Sequence, residues 1–252
     1  MLKKIGHTID EPIPSLFTFN SKDPRIIGIQ GLSTIAKISI LKPNANEKIT
    51  IPLASRVKAE ELLTEEGPVL VTHWGFSGPA VLRLSAWGAK FLNQNNYKFS
   101  IRVNWVPEYH ETSVFNLLMK IKEIEPKKTV LRTKALDVPK RLWMRLVKAA
   151  EIEPNVIWAN VTKQILQQLT EQLTRCEFTI EGKSTFKEEF VTAGGVDLKE
   201  INFKRFKSKL HNDLFFAGEV LNIDAITGGF NFQNAWTGGY IVGNTMAKSN
   251  NK

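Results

Sequence analysis

Three places in this 252-residue chain bring together residue types that could do chemistry. The richest runs from Gly218 to Asn231. Gly218-Glu219 ends a short apolar run, Leu214 to Ala217, and a polar turn with Asp224 and Thr227 follows. Gly228-Gly229 and Phe230 then lead into helical spacing from about Asn231. The first turn of a helix has unpaired N–H groups and roughly half a unit of positive charge, which suit an oxygen-rich anionic group. The paired glycines would let that group approach the backbone, and Glu219 could accept hydrogen bonds from hydroxyls. A tightly packed C-terminal helix after a glycine-rich turn, with no ligand, fits the same spacing equally well. The second place is Thr192-Ala193-Gly194-Gly195-Val196, where two glycines end a strand. Either something flat lies against that backbone or the chain makes a tight turn. The third is Thr72-His73-Trp74-Gly75-Phe76-Ser77-Gly78-Pro79. It invites comparison with the G-x-S-x-G elbow of serine hydrolases and fails it, because proline replaces the second glycine and no acid–histidine pair accompanies it. Ser77 reads as a helix N-cap with Pro79 in the first turn. His73 either bonds to the backbone at that turn or serves a substrate or proton-transfer role.

These stretches carry a resemblance. Phe216 to Leu221, Gly228 to Asn231 and Ala235 to Gly243 resemble the C-terminal FAD segment of a bacterial flavoprotein family. That family comprises NAD(P)/FAD-dependent, aminoacetone-oxidase-like oxidoreductases and a branch of 3-dehydro-bile-acid reductases. Gly6-His7-Thr8-Ile9 with Pro14-Ser15-Leu16, the stretch Thr72 to Ala80, and Thr192 to Val196 match the same family in the same order. The resemblance implies FAD as cofactor, with Gly194, Gly195, Gly218, Glu219, Gly229, Phe230 and Asn231 toward it. It implies the isoalloxazine ring beside Gly194-Gly195, His73 and Ser77 on the substrate side, and NAD(P)H as a possible electron donor to a small-molecule substrate. One departure is large: no G-x-G-x-x-G occurs in the chain. We therefore expect a fragment or shortened form that retains flavin poorly by itself. Residues Leu2 to Gly6 read as the end of a helix.

The elements that must hold these residues follow from pattern and composition. Hydrophobic content of 42% with 10% aromatics is ordinary for a soluble globular chain and argues against disorder. A single cysteine, Cys176, excludes an internal disulfide and a cysteine-built zinc site, so no metal is expected. That usage is compatible with a reducing cytoplasm. The N-terminus has no apolar segment of signal-peptide type, and no run is long enough to cross a bilayer.

Ile26 to Ile29, Ile35 to Ile40, Ile49 to Ile51, Val69 to Thr72, Phe99 to Asn104 and Cys176 to Ile180 read as short strands. Val114, Leu117, Leu118 and Ile121, then Leu142, Leu146 and Ala149, then Ile165, Leu166, Leu169 and Leu173 mark three helices. The expected fold is α+β: a small antiparallel β-barrel with an inserted compact helical unit, plus a C-terminal strand–helix piece of an incomplete FAD domain. The barrel takes 13–110 and 175–191, the helical unit 111–174, and the FAD remnant 1–12 and 192–252. Lys199 to Leu210 reads as a polar connector, and Leu214 to Ala217 as a buried strand. In the last helix Ala235, Gly239, Gly243 and Ala247 form a small stripe beside the bulky row Phe232, Trp236 and Tyr240. Glycine inside a helix costs roughly 1 kcal/mol against alanine, which calls for a close neighbour at Gly239 and Gly243.

The chain carries +9 net charge, and ten Lys or Arg lie between Lys120 and Lys148 against Glu123, Glu125 and Asp137. A solvated face is the simpler reading. Arg141, Arg145 and Lys148 share one helix side, which keeps nucleic-acid or other polyanion binding as the alternative, with Trp143 and Trp158 as possible base-stacking groups.

Overall fold

Alternation over Ser33–Leu41 and a long partner at Glu61–Val71 set the frame of the molecule. The computed structural model describes residues 1–43, 60–184 and 191–249. In chain order the elements are β1 (Ile9–Ser15), β2 (Phe19–Asn20), β3 (Ser33–Leu41), β4 (Glu61–Val71), β5 (Gly75–Ser77), α1 (Pro79–Trp87), α2 (Ala89–Gln94) and β6 (Lys98–Asn104). Then come α3 (Glu111–Ile124), α4 (Lys140–Ala149), α5 (Lys163–Thr174), β7 (Cys176–Glu181), β8 (Val191–Val196), β9 (Ile201–Asn202), β10 (Lys207–Ser208) and α6 (Phe230–Ser249). Among the described residues no helix is long and apolar enough to cross a membrane.

Six strands form one antiparallel sheet in the order β2-β5-β4-β3-β6-β7. The sheet curls until its two edges meet. Phe19 bridges Lys183, and Asn20 N donates to Gly182 O at 2.9 Å. That isolated bridge joins the edges without a continuous ladder between β2 and β7. Inside the curl, Phe76 and Phe178 meet edge to face at 4.9 Å, and Phe19 and Phe99 do so at 5.0 Å. Ala36, Ile38 and Ile40 of β3 point into this core as their alternation requires. Ser39, on the opposite face, is also buried, with its hydroxyl 2.8 Å from that of Thr64.

The helical unit is continuous with that core. Trp105 N donates to Leu173 O at 2.9 Å, so the exit of β6 is tied to the end of α5. Val114, Leu118, Leu142, Leu146, Leu166, Leu169 and Leu173 pack in the same cluster as the sheet interior. Thr162 caps α5 by accepting from Ile165 N. Trp143 and Trp158 are buried. Their indole N–H groups bond to Val130 O at 3.1 Å and Thr133 Oγ1 at 2.7 Å. Neither ring is available to stack on a base.

The remainder has its own small core. Val196, Ile201, Phe206, Phe216 and Leu221 are its buried members. The polar connector contains a short hairpin, β9 with β10. Several sequence readings shift here. Ile26 to Ile29 is a turn whose two buried isoleucines plug the core, because a short apolar run is read alike as strand or plug. Ser77 lies in β5, and the N-cap of α1 is Gly78. Leu214 to Ala217 makes one bridge, Lys207 with Phe215, instead of a strand. Leu2–Ile5 is a single 3-10 turn closed by Gly6. The strand expected at Ile49 to Ile51 lies outside the described residues.

Candidate functional site

Of the predicted cofactor residues, Gly194 and Gly195 lie in the two-stranded ribbon β1–β8, and the turn Gly218–Val220 packs against β8. Asp10 faces Gly195 and Ile13 faces Ala193, so Glu11 and Pro12 oppose Gly194 alone in a bulge. A Cβ on Gly194, at φ 103°, would stand 2.4 Å from Glu11 O. One on Gly195, at φ 128°, would stand 2.6 Å from Val220 O. The chain's own backbone fills the space that a side chain would take at both glycines. The ribbon is thereby pressed against 220–222, where Asn222 N donates to Val196 O at 3.1 Å.

That contact positions the turn Gly218–Val220 and the loop that follows. Asn222 Nδ2 donates to Asp10 Oδ2 at 2.6 Å, and Lys90 Nζ reaches the same oxygen at 3.2 Å. Ser15 Oγ donates to Asp224 Oδ2 at 3.0 Å. Burial pushes the Asp224 carboxyl above the usual range, opposed by the Ser15 bond. The loop ends in a clamp: Asn231 Nδ2 donates to Ala225 O, and its Oδ1 accepts from Ala225 N, both at 2.9 Å. Gly229 has open space on its Cβ side, and Glu219 is exposed at the turn.

Asp224 gives a pH-dependent expectation. A carboxyl raised by burial binds its proton more tightly folded than unfolded. Stability is therefore fully present below the ordinary value of about 3.9 and falls as pH rises through the raised value. Asp224→Asn removes that loss, so the variant should gain on the parent between pH 3.5 and 7 in urea titrations. A difference between the two proteins that stays constant with pH would refute the assignment.

His73 is exposed on the β4–β5 turn beside Trp74, and Ser77 is half-buried in β5. Among the described residues no hydrogen bond, ion pair or ring contact joins either of them to Gly194, Gly195, Gly218, Glu219, Gly229, Phe230 or Asn231. The geometry does not bring the two groups into one constellation.

One partly buried polar cluster escaped the sequence reading. His7 Nδ1 lies 2.7 Å from Glu200 Oε2, and its Nε2 lies 3.1 Å from Ser208 Oγ. Serine, histidine and carboxylate in a row suggest a nucleophile relay. Here Ser208 is buried, and its Oγ also accepts from Leu210 N and His211 N at 3.0 and 2.9 Å. The hydroxyl is pinned, so the row works as a lock between the chain's two ends. Hydrogen bonds from Thr8 and then His7 hold the Glu200 carboxyl below its usual range. The partners are 193 residues apart, which no local pattern reveals.

The start of α6 is firmly built, but much of its length is bare. Gly238 packs on the Phe206 ring, whereas Gly239 and Gly243 meet nothing within 4 Å. Phe230, Phe232, Trp236 and Tyr240 are 56–75% exposed. The close neighbour expected for the small stripe is not among the described residues.

Comparison with curated proteins places this geometry. A 3-dehydro-bile acid delta(4,6)-reductase of Clostridium scindens is 27% identical over 98% of this chain and 57% of its own length. A ribosomal RNA dihydrouridine synthase of Haemophilus influenzae is 32% identical over 71% of this chain and 42% of its own length. One of Escherichia coli is 29% identical over 74% and 44% respectively. The chain spans about half the length of these relatives. Residues 13–191 match the family model described as the HI0933-like protein barrel and H2TH domain, and the chain belongs to the HI0933-like family.

Proposed function

We propose that this chain is the substrate-side and flavin-contacting part of a FAD-dependent oxidoreductase. The observation that carries the reading is the alignment with a reductase over 98% of the chain, which includes β8, the Gly218–Val220 turn and α6. The bare face of α6 supports it too. Four large aromatic side chains beside open glycines fit a helix made to lie against further protein, as in a complete cofactor domain.

The residues present fit one end of a flavin. Gly229 leaves the backbone open at the start of a 20-residue helix, where first-turn N–H groups favour partial negative charge. Exposed Glu219 can accept hydrogen bonds from hydroxyls. Asn231 braces the loop between them through Ala225. Gly194 and Gly195 act indirectly in this reading, setting how closely β8 presses on the segment that carries Glu219. FAD, when bound, supplies hydride chemistry, and these side chains supply binding and orientation. The barrel and helical unit shape the side from which substrate arrives.

The test is an FAD titration followed by flavin fluorescence. With no glycine-rich phosphate loop in the chain, binding should be weak. Glu219→Ala should weaken it a further ten- to hundredfold, since a hydrogen bond to a charged group contributes about 1.5–3 kcal/mol. Equal affinities of the two proteins would overturn the role of Glu219, and tight stoichiometric loading of the parent would overturn the need for more protein.

A further inference from the structure

β3 has a neighbour on both sides for only part of its length. β4 pairs it from Ser33 to Leu41, whereas β6 pairs it only from Lys37 to Ile40. β6 leaves the sheet after Asn104, where Trp105 N turns to Leu173 O. Among the described residues, no strand takes the lane that β6 vacates beside 33–36. A cleft of about 660 Å³ opens there, between Thr34 and the segment 131–140. We propose that this lane is a peptide site, in which an acidic segment of a partner protein adds to β3 as an extended strand. The site is independent of the flavin contacts.

The free backbone groups follow from the strand's own alternation. Val71 N donates to Leu32 O at 2.9 Å, so Leu32 and Thr34 turn their backbone toward β4. Ser33 and Ile35 therefore turn theirs the other way. Pro68, which stands opposite Ile35, has no N–H to offer it, in agreement. Two N–H groups and two carbonyls are left along the vacated lane, an open edge that a further strand can pair with. Thr34 lines the cleft on one face of this edge, and Ile35 is 52% exposed on the other.

Charge around the lane selects the occupant. Arg132, Lys134 and Lys140 stand exposed on the far wall of the cleft, with Asp137 the acidic residue among them. Lys134 lies 3.9 Å from Asp137 and is partly offset by it, whereas Arg132 and Lys140 form no ion pair among the described residues. Leu136, Val138 and Trp143 give the same wall an apolar floor. Successive side chains of a strand point to opposite faces, so a segment alternating acidic and apolar residues meets charge and floor together. A helical peptide spends its backbone groups on internal bonds, and a nucleic acid has no amide ladder to match the edge. Two copies of this chain joined edge to edge would bring like charges together, which disfavours self-pairing.

The test is fluorescence anisotropy of the labelled peptide acetyl-Glu-Val-Glu-Val-Glu-Val-Glu-amide with the full chain. Methylating the amide nitrogens of its valines, or those of its glutamates, blocks one edge of the peptide strand at a time. One methylated peptide should bind about tenfold more weakly, because it loses two backbone bonds, and the other about as well as the parent peptide. Ile35→Pro removes one free N–H of the edge without a bond to β4 and should lower affinity about fivefold. Should that variant fail to keep the parent's thermal transition, the methylated peptides still decide the matter on the unaltered chain. Arg132→Glu with Lys140→Glu should lower affinity about tenfold and make the chain prefer the matching lysine–valine peptide. Lys204→Glu with Arg205→Glu makes the same charge change elsewhere and should stay within about twofold of the parent. No saturable binding, equal affinity of both methylated peptides, or equal losses in the two charge-reversed proteins would each overturn the proposal. So would stronger displacement by a short RNA than by unlabelled peptide, or sedimentation showing that the peptide splits a dimer of this chain.

Discussion

Gly194→Ala should detach the C-terminal segment from the barrel, at a cost of about 3–4 kcal/mol. The new methyl would have to occupy a point 2.4 Å from Glu11 O and 3.0 Å from Pro12 Cα, both parts of a bulged strand that cannot yield like a flexible side chain. Alanine is also disfavoured at φ 103°. The clash opens the β1–β8 ribbon, and with it the contact of Val196 with Leu221 and Asn222. Among the described residues, the buried apolar core beyond that contact consists of Ile201, Phe206 and Phe216, so little else retains the segment. Limited proteolysis should then cut within 197–229 while the barrel and helical unit persist, and urea unfolding should split into two steps. A variant that unfolds in one step within 1 kcal/mol of the parent would refute this account.

Trp158→Ala should instead lower the stability of barrel and helical unit together, by about 3–5 kcal/mol. Trp158 is fully buried, and its indole N–H donates to Thr133 Oγ1 at 2.7 Å. It joins the turn before α5 to the turn before α4, beside the bridge of Thr129 with Ile157. Alanine leaves a large cavity where those turns meet. Trp158→Phe keeps most of the volume and loses the hydrogen bond, so about 1–3 kcal/mol is expected. Thr133 Oγ1 still donates to Thr129 O, which limits the loss. Because both units share one core, both variants should keep a single transition with an unchanged urea dependence. A helical unit that melts first, leaving the sheet intact, would show that the shared core does not couple them.

What could be read from the sequence was whatever repeats at short range. The alternation of Cys176 to Ile180 gave β7, observed as Cys176–Glu181, whose burial alternates residue by residue. Apolar spacing gave α3, α4 and α5 close to their observed limits. Ile26 to Ile29 misled because four apolar residues do not separate a strand from a buried turn. Gly239 and Gly243 misled for a different reason: the rule that a helical glycine needs a neighbour is sound, but that neighbour is not among the described residues. Gly218, Glu219, Gly229 and Asn231 could be named as candidates from the sequence because turn residues cluster along the chain. The roles of Asn231 as a loop clamp and of Gly194 as the partner of a bulge are tertiary facts. His7, Glu200 and Ser208 are joined only by folding.

The lock at His7 also bears on the order in which the molecule assembles. Its two halves meet across 193 residues, and β1 must find β8 over a similar distance. An open chain would search a large volume for that encounter. The loop-closure entropy grows only with the logarithm of length, yet it is lost before any contact repays it. The intervening barrel changes the odds, since β1 runs into its first strand and β8 follows its last. Once β2 and β7 touch at Phe19 and Lys183, the two ribbon strands are held at high effective concentration. The barrel thus serves its neighbour as a folding template, and the terminal segment should acquire protection from hydrogen exchange last and lose it first.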